Sequence, residues 1–245
     1  MTRDYKGKRY WLVGASDGLG LALAQALAAR GADLILSARD PDRLKAAATP
    51  LRATALPMDV ADPASVQAAA QQIGPIDGLV FLAGVYWPVK AQSWNADQVE
   101  AMCNVNFTGC ARVIGTVLPQ MTARNQGHIV ITGSLSGFRG LPGAIGYAAS
   151  KAGTMVLAES LYADLRHTGV QVQLANPGFI RTRLTDKNNF KMPFLMEPDQ
   201  AAAEMLALMD SPRAFKRSFP RVFSWLFRGG QFLPDALWYP LFGKG

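Results

Sequence analysis

Gly14-Ala15-Ser16-Asp17-Gly18-Leu19-Gly20 lies between a short apolar run, Tyr10-Trp11-Leu12-Val13, and an Ala/Leu-rich stretch from Leu19 to Arg30. The first run reads as a buried strand, and the second as a helix that stops at Gly31. Glycines in the turn let backbone approach a bound group with no side chain in the way. The helix that follows offers unpaired N–H groups and a positive dipole end. Strand, glycine turn and helix in that order specify the opening unit of an α/β sheet with a phosphate-binding corner.

The alternation continues along the chain. Strands are expected at Asp33 to Ser37, Thr54 to Val60, Gly78 to Leu82, His128 to Ile131, Val170 to Leu174 and Ala214 to Phe219. Asp62 and Pro63 form an N-cap and first helical residue. Ala144 to Leu165 is rich in Ala, Leu, Met and Glu and free of proline, so it reads as one helix. The region from Asp97 to Arg124 is also helical, but Asn104-Val105-Asn106-Phe107-Thr108-Gly109 places poor helix formers in its middle and marks a local disturbance. Repeated strand–helix units imply a parallel, doubly wound sheet of about seven strands with helices on both faces. The 245 residues, 49% hydrophobic and undivided by a linker, read as a single α/β domain over 1–245, with 213–245 an aromatic and basic C-terminal helical extension.

Tyr147 and Lys151 stand four apart on the Ala144 to Leu165 helix, so a phenol and an ammonium point the same way. A nearby cation favours the phenolate and should lower the tyrosine from its reference of about 10 toward neutrality, an acid/base device for a carbonyl or an alcohol. Ser134 follows the strand His128 to Ile131, beyond the carboxyl end where open parallel sheets build their sites.

Ser134 with Tyr147-Xaa-Xaa-Xaa-Lys151, the turn Gly14 to Gly20, the Asn104 to Gly109 segment and Asn176-Pro177-Gly178 together resemble the short-chain dehydrogenase/reductase family, over roughly residues 8 to 210. The resemblance implies a Rossmann-type oxidoreductase with Asn106, Ser134, Tyr147 and Lys151 as its catalytic set. It also implies a nicotinamide cofactor held by Gly14, Ser16, Gly18, Leu19, Gly20, Arg39, Asp59, Val60, Ala83, Gly84, Tyr147, Lys151, Pro177, Gly178, Ile180 and Thr182. Within that set Asp59 would accept from the adenine amino group, while Ile180 and Thr182 would meet the carboxamide. Leu82 stands where the family has an asparagine.

The second strand ends in Ser37 rather than an acid, and Arg39 follows, a pattern similar to NADP-using relatives. NADP(H) is therefore expected over NAD(H), although Asp17 and Asp40 are acidic where such relatives carry Ser, Arg or Lys. An NAD-dependent alcohol dehydrogenase and a non-catalytic nucleotide-binding or redox-sensing protein on the same fold are the other readings. Trp87, Leu135, Phe138, Leu141, Phe179, Phe190 and Phe194 are expected to line the substrate pocket, the last two in a lid loop from Phe190 to Met196. An apolar lining suits a bulky carbonyl or alcohol of steroid, lipid or acyl type.

Composition narrows the remaining classes. The net charge of +7 comes without a nucleic-acid motif, so no nucleic-acid partner is expected. Cys103 and Cys110 lack the clustered spacing of a metal site and read as reduced and inert, and His128 and His167 as structural. Met1 to Arg9 has no apolar leader core, and no run is long enough to span a bilayer, so a cytoplasmic location is expected. Homodimers or homotetramers are expected by resemblance alone. In the extension, Phe219, Val222, Phe223, Leu226 and Phe227 are placed on one helical face, with Arg221, Ser224 and Arg228 off it, and Pro234 opens a second helix. The amphipathic tail then has two roles open to it: a cover over the pocket mouth or a subunit partner, and contact with an anionic membrane.

Overall fold

A computed structural model describes residues 2–189 and 191–242. Seven strands, β1 (Arg9–Val13), β2 (Asp33–Ser37), β3 (Thr54–Ala55), β4 (Gly78–Phe81), β5 (Gly127–Thr132), β6 (Val170–Pro177) and β7 (Lys216–Phe219), form one parallel sheet in the order β3-β2-β1-β4-β5-β6-β7. The order reverses between β1 and β4, so a crevice opens beyond their carboxyl ends.

Strand alternation sorts the core into two layers. Trp11, Val13, Leu79, Phe81, Ile129 and Ile131 pack on one face against α3 (Pro63–Ile73), α5 (Gly109–Ala123) and α6 (Ile145–Leu165). Tyr10, Leu12, Leu36, Val80 and Val130 pack on the other against α1 (Gly18–Ala28), α2 (Pro41–Ala48) and α7 (Pro198–Met209). Both faces are covered, which is why β4 and the middles of β1, β2 and β5 are continuous apolar runs. Asp62 caps α3 by accepting from Ala64 N at 2.9 Å, with Pro63 at the first position.

α4 (Ala96–Cys103) runs into one π-helical turn, Asn104–Thr108, before α5 continues. The expected disturbance is therefore a widened turn inside a continuous helix. The third strand is shorter than its sequence indicates: only Thr54 and Ala55 are paired in register with β2, although Leu56 N and Met58 N still donate to Leu36 O at 2.9 Å and Ala38 O at 3.0 Å.

The C-terminal extension forms α8 (Arg221–Gly230) and α9 (Asp235–Phe242). The face of α8 differs from the expected one. Phe223, Ser224, Phe227 and Gly230 turn inward, whereas Val222 and Leu226 are exposed beside Trp225. Trp238, wholly buried, anchors α9 against Leu135, Phe223 and Phe227. Arg139 fastens the junction by donating to Gly230 O and Leu233 O, both at 2.6 Å, and by pairing with Asp235. Its guanidinium also lies 5.0 Å from the Trp238 ring centre.

Candidate active site

The crevice is a cleft of about 830 Å³ whose floor is the glycine turn. Gly14 has φ +91°, and a Cβ there would lie 2.5 Å from Ala83 N, so the turn must press on the end of β4 with bare backbone. A Cβ on Gly20 would come within 2.2 Å of Gly14 O, which holds the start of α1 directly under the turn. Gly14, Ser16, Gly18, Leu19, Gly20, Arg39, Val60, Ala83, Gly84, Pro177, Gly178, Ile180 and Thr182 all line the cleft.

Asp59 does not reach the cleft wall. Its carboxylate accepts from Ala61 N at 2.9 Å and holds the turn into α3. Leu82, in the place of the family's asparagine, is half-buried against the α1 and α7 layer and keeps its ladder bond to Val13 O at 2.8 Å.

Ser134, Tyr147 and Lys151 converge on the cleft beyond β5. The Ser134 hydroxyl lies close enough to the Tyr147 phenol to favour its ionised form, and it accepts from Ser136 N at 3.1 Å. Lys151 is buried and donates to Thr132 O at 2.8 Å, with its Nζ 5.9 Å from the Tyr147 ring centre. Burial pushes the Tyr147 phenol up to about 12, against the lowering by Ser134. The expected depression by Lys151 is thus absent, because burial outweighs every opposing influence. The same burial lowers Lys151 to about 8.

Asn106 stands behind the wall, fully buried. Its amide accepts from Val85 N at 2.8 Å and donates to Val85 O and Ser150 Oγ, both at 3.0 Å. The π turn brings this side chain between Val85, in the segment after β4, and α6, and its own carbonyl accepts from Thr154 Oγ1 at 3.0 Å.

Of the expected pocket residues, Leu135, Leu141 and Phe179 line the cleft. Trp87, Phe138 and Phe194 do not. Trp87 lies 4.1 Å under the Lys187 ammonium, Phe138 packs between the core and the extension, and Phe194 is exposed with its ring 5.4 Å from Phe223. Phe190 lies outside the described residues.

Several residues on the cleft carried no sequence signal that reached them. Tyr86 packs edge-on to Tyr147 at 5.1 Å, two residues past the Ala83-Gly84 match that could have flagged it. Phe223 and Phe227 come from α8, where spacing revealed a stripe but not which way it turns. Arg43, Arg183 and Lys187 join Arg39 on the cleft.

Residues 8–192 match the family described as short chain dehydrogenase. The chain belongs to that family. An uncharacterised oxidoreductase of Myxococcus xanthus is 39% identical over 203 residues, 79% of this chain and 80% of that protein. The 3-oxoacyl-[acyl-carrier-protein] reductase of Escherichia coli is 34% identical over 193 residues, 74% of this chain and 77% of its own length. Among solved structures, a short-chain dehydrogenase of Sphingobium yanoikuyae in complex with NADPH superposes with a TM-score of 0.83 at 28% identity, covering 97% of this chain and 96% of the other. As a short-chain dehydrogenase the chain is an NAD(P)-dependent oxidoreductase. Among the described residues no His/Cys/Asp/Glu group is placed to hold a metal, and no helix is long and apolar enough to cross a membrane.

Proposed function

We propose that this short-chain dehydrogenase uses NADP(H) to interconvert a carbonyl and a secondary alcohol on a bulky apolar substrate. The observation that carries the reading is the convergence of Ser134, Tyr147 and the buried Lys151 on the cleft whose floor is bare glycine backbone. A dinucleotide fits this floor: the turn at Gly14 to Gly20 and the α1 N-terminus would hold its pyrophosphate, and the nicotinamide supplies or accepts the hydride.

Tyr147 gives its proton to the oxygen that becomes the alcohol. A phenol raised to about 12 keeps that proton at neutral pH, which favours the reductive direction. Ser134 holds the same oxygen by a second hydrogen bond. Lys151 supplies positive charge beneath both, and Asn106 acts as a positioning residue by tying Val85, in the segment after β4, to Ser150 on α6.

Support for NADP(H) comes from charge at the far end of the cleft. Ser37 Oγ accepts from Trp11 Nε1 at 2.8 Å, so the strand end offers no carboxylate to a ribose. Asp17 is paired with Arg183, and Asp40 with Arg43 at 2.9 Å. Arg39 and Lys187 add cations, and Arg39 helps to lower Lys187 after burial. Four basic side chains around two committed acids suit a 2′-phosphate. Support for an apolar substrate comes from Leu135, Leu141, Phe179, Phe223 and Phe227, and an acyl chain is in keeping with the name of the Escherichia coli relative.

The test is stopped-flow reduction of ketones and aldehydes by NADPH with Tyr147→Phe. General acid catalysis is worth about 10²–10⁴-fold, so hydride transfer should fall at least that far while NADPH still binds. Retention of more than about a tenth of the rate would overturn the assignment.

A further inference from the structure

We infer that the outer face of α8 and α9 docks on an anionic lipid bilayer. Among the described residues, the large apolar side chains left exposed are Trp94, Phe107, Val156 and Phe194 in the body, and Val222, Trp225, Leu226, Phe232, Leu237, Tyr239 and Leu241 in the extension. The exposed apolar side chains are therefore concentrated on about twenty consecutive residues of the chain, where an isolated surface leucine would need no explanation. These side chains are not on a loose tail. Trp238 is wholly buried beneath them, and Arg139 bonds Gly230 O and Leu233 O, so the face is a platform held in place.

Helical geometry separates the two sides of α8. Phe223, Phe227 and Gly230 turn to the protein, Val222 stands opposite them beside exposed Arg221, and Trp225, Arg228 and Gly229 are exposed at the edge of an open groove whose other wall is α6. Exposed apolar side chains that include Trp and Tyr, with arginines beside them, are the pattern of a helix lying in the headgroup region. Charge selects the partner. From 213 to 245 Asp235 is the sole acid, and it is paired with Arg139, while Lys216 and Arg217 are paired with Glu159 and Glu204. Arg221 and Arg228 enter no ion pair among the described residues. An anionic surface complements these two unpaired arginines.

One consequence rests on the reading of the cleft given above. Phe223 and Phe227 line the cleft from the inner side of the same helix, so docking of its outer side would set an apolar substrate route against the lipid.

Flotation of the full-length protein with phosphatidylcholine vesicles, alone or with about one third phosphatidylglycerol, tests the docking at low and high salt. Wild type should float with the anionic vesicles, less so at high salt. Trp225→Glu should weaken partition about tenfold or more, and Arg221→Glu and Arg228→Glu about fivefold each, with NADPH turnover of a water-soluble carbonyl unchanged. The inference is overturned if wild type stays with the unbound fraction, or if the charge reversals leave flotation unaltered. It is equally overturned if Trp225→Glu lowers the solution mass of an oligomer without touching flotation, because the face then belongs to a second copy. Turnover is read separately, so a failed reductase assay leaves the flotation result standing.

Discussion

Lys151 donates to the carbonyl of Thr132 at 2.8 Å, which ties the first half of α6 to the end of β5 inside the core. Burial there lowers the ammonium from its ordinary value to about 8, while Tyr147 stays protonated to about 12. The alkaline limit of carbonyl reduction should therefore come from Lys151: kcat/KM falls above an apparent pKa near 8, as the cation is lost. Lys151→Arg should move that limb upward by more than about one pH unit, because a guanidinium keeps its proton. A pH profile of kcat/KM in the two proteins checks this.

Ser37 Oγ accepts from Trp11, and the proposed preference for NADP(H) rests on the exposed Arg39. Arg39→Ala should raise KM for NADPH about tenfold, equivalent to about 1.4 kcal/mol, and leave NADH nearly unchanged. Paired initial-rate measurements with both cofactors decide it, and equal losses would contradict the role of Arg39.

Gly14 combines a left-handed φ of +91° with a Cβ approach of 2.5 Å to Ala83 N. Gly14→Ala should cost roughly 1–3 kcal/mol of stability and lower the melting temperature by several degrees. Because the turn also floors the cleft, NADPH affinity measured by calorimetry should drop further than in a surface Gly→Ala control at Gly115, whose Cβ would meet nothing within 4 Å.

His128 sits fully buried between the Tyr10 hydroxyl and Gln173 Oε1, each at 2.9 Å. Burial lowers it to about 3 from an ordinary 6.5. Between those values the unfolded chain binds the proton that the folded chain refuses, so stability rises with pH across that window. The contribution is complete above about 6.5 and is lost on acidification toward 3. His128→Gln should flatten the dependence of unfolding free energy on pH by about one proton, as read from urea melts between pH 4 and 7.

Trp238 is the buried plug of the extension. Trp238→Ala should loosen α8 and α9 by roughly 3–5 kcal/mol and open Arg221 and Arg228 to trypsin, while the sheet keeps its protection. Limited proteolysis followed by mass spectrometry reads the two regions apart.

Chain order and local chemistry determined the sheet, the glycine turn, the Asp62-Pro63 cap and the disturbed helix at Asn104 to Thr108, since each is written in neighbouring residues through propensity, capping and period. The meeting of Ser134 and Tyr147 was legible for the same reason: both stand just past elements whose ends the sequence marks. Tertiary structure alone decided the length of β3, which depends on how far β2 runs beside it, and the Asp17–Arg183 pair, whose members are 166 positions apart. It also decided the inward face of α8, because a stripe of apolar residues does not say which side finds a partner. The protonation of Tyr147 belongs with these. A cation four residues away favours the phenolate in any helix, but the desolvation that overrides it is set by every element packed around the site.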